Sequence, residues 1–128
     1  MKHVAVAFAL VTALPASAQD CAEAASKFEA ESCLSETLAR DDGELNRAYR
    51  DAMGRAKAFD AEFGTPLPAA GTLRDAQRAW IKYRDAACGA ETAPYAVGGG
   101  ALLRAELACK LRYTRWRTDD LRRLAASF

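Results

Sequence analysis

Apolar residues recur along this chain at intervals of three and four, and no stretch alternates apolar with polar as a strand does. From about Ser26 to Phe63, the residues Leu34, Leu38, Leu45, Ala48, Tyr49, Ala52, Met53, Ala56 and Phe59 trace one helical face. The stripe breaks at Asp41-Asp42-Gly43, where glycine costs about 1 kcal/mol against alanine, so a kink or short interruption is expected there. A second stripe, Leu73, Ala76, Gln77, Trp80, Tyr83, Arg84 and Ala87, predicts a helix from Thr72 to Cys88. Thr72 and Asp75 resemble a capping box at its start, and Gly89 suits its end. A third helix is predicted from about Ala101 to Leu124, with Leu103, Leu107, Leu111, Thr114, Leu121 and Leu124 inward and Tyr113 and Trp116 widening the stripe. Glycine and proline gather in the two connections, Gly64–Gly71 and Gly89–Gly100. The pattern is that of an all-α protein, a small antiparallel three-helix bundle in one domain.

The N-terminus changes the picture by placing the chain outside the cytoplasm. Lys2 and His3 precede an apolar run of eleven residues, Val4–Leu14, and Ala16-Ser17-Ala18 forms an A-x-A cleavage site. The run is shorter than the roughly 20 residues a membrane span needs. Residues 1–18 therefore read as a signal peptide, and 19–128 as the mature helical domain. Cys21 follows Ala18, Gln19 and Asp20, not the small apolar triplet of a lipid-attachment site, so a free periplasmic or secreted protein is expected. Four cysteines, Cys21, Cys33, Cys88 and Cys109, would then meet an oxidising compartment, and two disulfides follow. A Cys88–Cys109 bridge closes a helical hairpin, and Cys21–Cys33 is left by elimination. Twelve residues of helix separate the last two by about 18 Å, too far for a bridge, so the segment before the first helix must fold back along it.

Charge and residue types exclude more than they identify. Loss of Lys2 leaves 17 basic residues (18 less one) against 17 acidic, which gives no general pull toward nucleic acid or anionic membrane. The single histidine, His3, leaves with the signal peptide, so no histidine-based triad or imidazole metal ligand is available. No enzyme, metal or cofactor is expected. Asn46, Gln77, Arg84, Asp85, Thr114 and Arg117 lie on or beside the inner stripes and read as an internal polar network, or else as a polar surface for a partner. Asp41, Asp42 and Glu44 read as a solvated helix shoulder. Lys110, Arg112, Arg115, Arg117, Arg122 and Arg123 make the third helix basic, either a solvated face or a docking surface for something acidic. The Gly89–Gly100 segment is longer than two adjacent helices need and carries Glu91 and Tyr95. Tyr95, Glu91, Arg112 and Arg115 are accordingly the candidate partner-binding residues.

Three motifs carry a resemblance. D-x-E-L-N-x-x-Y spans Asp42–Tyr49, L-x-x-A-Q-x-x-W-I-x-Y-R-D-x-x-C spans Leu73–Cys88, and C-x-x-x-x-T-x-x-R-x-x-x-L spans Cys109–Leu121. Together they resemble the LprI-type lysozyme inhibitor domain over essentially the whole mature chain. The resemblance implies a small secreted helical domain with four paired cysteines, and inhibition of lysozyme as its activity. Lysozyme cleaves glycan with two carboxylates in a cleft. Tyr95 on a loop flanked by arginines would suit that cleft. The alternative is an envelope adaptor that binds a protein or peptidoglycan without inhibiting anything.

Overall fold

The structure, a computed structural model, describes residues 20–128; the expected signal peptide and cleavage before Gln19 lie outside the described residues. The three helices are α1 (Lys27–Phe63), α2 (Ala69–Thr92) and α3 (Leu102–Ser127), with short 3₁₀ turns at Asp20–Glu23 and Ala93–Val97. No strand occurs among the described residues.

Local chemistry explains where each helix begins and ends. Ser26 caps α1 by accepting from the Glu29 N–H at 3.1 Å, and the Glu29 carboxylate accepts from the Ala25 N–H at 3.0 Å, a reciprocal capping box. The helix then runs unbroken for 37 residues, through Gly43. The expected interruption is absent. Asp41 and Asp42 turn their carboxylates onto arginines of the neighbouring helices, so tertiary contacts override the local cost of glycine. Gly64 ends α1 in the left-handed region at φ 58°, its N–H bonded to the Asp60 carbonyl at 3.0 Å.

α2 starts three residues earlier than its sequence suggests. The Asp60 carboxylate accepts from the Ala69 and Ala70 N–H groups at 2.7 and 3.0 Å, so a residue of α1 supplies the cap. Thr72 is already inside the helix, its hydroxyl donating to the Pro68 carbonyl, and the Thr72–Asp75 box does not form. The far end also overshoots. Gly89 lies within α2, which continues to Thr92. What reads as a twelve-residue loop is four more helical residues, a 3₁₀ turn, and a sharp bend at Gly98, Gly99 and Gly100. All three glycines sit at positive φ, which is why no other residue type fits the bend.

Consecutive helices run antiparallel, which leaves α1 and α3 parallel. Leu34 near the start of α1 packs with Leu107 and Leu111, and Phe59 near its end meets Phe128, the last residue. Two apolar clusters form. One holds Cys21, Leu34 and Leu111; the other holds Leu45, Ala48, Ala52, Ala56, Leu73, Leu121 and Ala125. Alanines on α1 let the helices approach closely in the second cluster. Trp80 is half-buried against it. Two disulfides staple the bundle: Cys21–Cys33 and Cys88–Cys109, each with a Cα separation of 5.7 Å. The 3₁₀ turn at Asp20–Glu23 brings Cys21 back against α1, which meets the distance limit a bridge imposes.

Candidate functional site

Between the two apolar clusters lies a polar layer. Arg84 of α2 reaches Asp42 of α1 and Thr114 of α3, each at 3.3 Å, and the Thr114 hydroxyl donates to the same Asp42 oxygen at 3.2 Å. Arg84 also pairs with Asp85 at 3.0 Å and lies over the Trp80 ring at 5.2 Å. One turn further along, Arg117 donates to the Gln77 side chain at 2.9 Å. The layer therefore joins all three helices through Asp42, Gln77, Arg84, Thr114 and Arg117. Asn46 stands at its exposed rim, beside a small cleft it shares with Gln77 and Arg84. Asp41 and Asp42 are partners in this region, not a solvated shoulder: Asp41 pairs with Arg115 at 2.6 Å. Glu44 pairs with Arg47 and Arg122 instead. Asp42, Arg84 and Thr114 satisfy one another, while Arg117 has the Gln77 side chain alone. Among the described residues no cluster of His, Cys, Asp or Glu is placed to hold a metal, and no helix is long and apolar enough to cross a membrane.

The outer face of α2 and α3 is different. Tyr83 and Trp116 are 60% and 57% exposed, although both read from the sequence as inward. Leu103 and Ala76, also read as inward, are exposed too. Tyr83, Tyr113 and Trp116 form an edge-to-face ladder, with ring centroids 5.9 Å apart for the first pair and 5.5 Å for the second. The Arg112 guanidinium lies 5.5 Å from the centroids of both Tyr113 and Trp116. Glu91 fixes it there, accepting from one Arg112 nitrogen through both carboxylate oxygens at 2.8 and 2.6 Å. That hydrogen bond raises the Arg112 pKa, against the opposing effect of burial. Hydrogen-bonding to Tyr83, then desolvation, raises that of Tyr113. The Cys88–Cys109 bridge ties the two helices together beside this face, since Cys109 precedes Arg112 by one turn and Cys88 precedes Glu91 by one. The result is a preorganised surface of tyrosine, tryptophan and arginine, the residue types that dominate binding hot spots.

The four candidate partner-binding residues are thus divided. Glu91 and Arg112 meet at the aromatic face. Arg115 is turned to α1 by Asp41, and half-exposed Tyr95 lines a separate groove with Cys21, Ser26, Lys27 and Arg104. The aromatic ladder itself was hidden in the sequence. A stripe wide enough to include both Leu111 and Trp116 exceeds what two neighbouring helices can cover, and that excess width is the available signal.

A family model described as lysozyme inhibitor LprI matches residues 18–121. An uncharacterized protein of Rhizobium meliloti (strain 1021) is 34% identical over 132 residues, an alignment that takes in 96% of this chain and 94% of that protein. No solved structure matches.

Proposed function

The chain belongs to the lysozyme inhibitor LprI family, and on that premise we propose that it is an exported protein that inhibits lysozyme by covering the glycan cleft with the face built from Tyr83, Arg112, Tyr113 and Trp116. Its two disulfides favour an extracytoplasmic location, periplasmic or secreted, where thiols are not kept reduced. The observation that carries the choice of face is the exposure of Trp116 within a stacked ladder. An exposed tryptophan held rigid by neighbours loses little conformational entropy on binding. Its ring and that of Tyr113 have the size and largely apolar faces of pyranose rings, so they can lie where the glycan's sugars lie. Arg112 can then face the acidic residues of such a cleft, in exchange for Glu91.

Turnover of cell-wall glycan by a panel of lysozymes, with and without the purified protein, tests the proposal. Trp116→Ala should weaken inhibition at least tenfold, the loss expected of a hot-spot residue, with the melting temperature retained because the side chain is exposed. Arg112→Ala should weaken it as well. If both variants inhibit as the wild type does, the face is wrong. If the wild type inhibits no lysozyme, the reading fails and an adaptor role replaces it.

A further inference from the structure

At the end of the bundle where α1 turns into α2, a cavity of about 300 Å³ opens between α2 and α3, near the lower end of the size range of small-molecule sites. Its apolar walls are Leu67, Ala69, Leu73, Ala76, Leu124 and Phe128, and its polar side chains are those of Thr72 and Arg117. Phe128 is fixed as a wall by its ring contact with Phe59 at 5.5 Å. Leu67 is 70% exposed at the mouth, far more than packing of this turn requires.

Arg117 is unlike its neighbours on α3. Arg112, Arg115, Arg122 and Arg123 each have a carboxylate at ion-pair distance. Arg117 has only the neutral Gln77 side chain, bonded to its Nε, and the fork of terminal nitrogens has no acceptor among the described residues. Burial lowers its pKa, which Asp120 only partly offsets. Arg117 is half-buried beside these apolar walls, and a cation so placed is stabilised by an anion that arrives with an apolar body of its own. A carboxylate matches the free fork in geometry as well as charge.

We propose that this cavity binds a small anionic amphiphile, an unbranched alkyl chain ending in a carboxylate, with the chain against Leu73, Ala76, Leu124 and Phe128 and the carboxylate on Arg117. The site is separate from the aromatic face and does not depend on lysozyme.

Octanoate, 1-octanol and acetate are the probes, added to the oxidised full-length mature protein and followed by amide chemical shifts. Octanoate should saturate, with shifts confined to residues around Ala69, Leu73, Ala76 and Leu124. Octanol, which has the chain without the charge, should bind at least tenfold more weakly, and acetate should not bind. Arg117→Gln should bind octanoate no better than octanol. Because Arg117 also holds Gln77, Ala76→Leu is the second variant: the position is exposed on α2, so the fold tolerates it while the added side chain fills the cavity. It should abolish octanoate binding with the melting temperature unchanged. Equal affinity for octanoate and octanol, shifts centred on Tyr83 and Trp116, or undiminished binding by Ala76→Leu would each overturn the proposal.

Discussion

Tyr113 illustrates how a half-buried residue can be chemically particular. It titrates above the ordinary tyrosine value because hydrogen-bonding to Tyr83 holds its proton, with desolvation adding to the effect. A raised pKa means the folded state binds the proton more tightly than the unfolded chain. The pair's contribution to stability is therefore complete below about pH 10 and is lost as pH climbs through the raised value of Tyr113. Absorbance titration of the phenolates should show one late tyrosine, and Tyr83→Phe should bring it back to the ordinary range; an unchanged profile in that variant would assign the shift to something other than Tyr83. The sequence places Tyr83 and Tyr113 on stripes but not on a side of them. Residue spacing defines a helical face to within a third of a turn, whereas inward or outward depends on where the third helix sits. Glu91 and Arg112 were legible as candidates by charge and location. Their pairing was not, because it depends on α2 continuing past Gly89.

At the scale of the element, the helices were easier to find than their ends. The 3.6-residue period of Leu34 to Phe59 and of Leu107 to Leu124 is strong enough to identify α1 and α3 unaided. α2 departed from expectation at both ends for one reason: its boundaries are set by groups outside it or beyond its stripe. Its start is capped by Asp60, nine residues upstream on another helix, a partner that no local capping pattern can reveal. Asp60→Ala should cost about 1 to 2 kcal/mol, the upper part of the range for a lost cap because two N–H donors go unpaired, and urea unfolding would measure it. Asp60→Asn should recover part of that loss. A neutral result for Asp60→Ala would mean solvent caps α2 equally well. Its other end survives Gly89 because the Thr92 hydroxyl donates to the Cys88 carbonyl and the bridge to α3 begins at Cys88, both favouring helix over turn.

For the molecule as a whole, the three-helix architecture was available from spacing, and the disulfide pairing from the hairpin that Cys88–Cys109 closes, with Cys21–Cys33 left by elimination. Arg84 and Thr114 were recognisable as members of a polar set, but Asp42 read as a solvated shoulder, since the layer's place between two apolar clusters follows from the parallel run of α1 and α3. Loss of the Cys88–Cys109 bridge, by a double alanine substitution, should lower stability by about 3 kcal/mol on the chain-entropy account, given a sequence separation of 21. Chemical denaturation under oxidising conditions would read this, and a loss below about 1 kcal/mol would show that α2 and α3 stay together in the unfolded chain without it. The two bridges have a joint consequence for how the molecule comes apart. One closes a loop within the start of α1, and the other joins α2 to α3, so neither crosses from the first helix to the hairpin. The covalent graph is two rings on a string, 21–33 and 88–109, linked only by the main chain of 34–87. Oxidation thus protects each part against its own unravelling while leaving their separation to packing and the polar layer alone. In the oxidised protein, detachment of the first helix is the opening mode that the cross-links leave free.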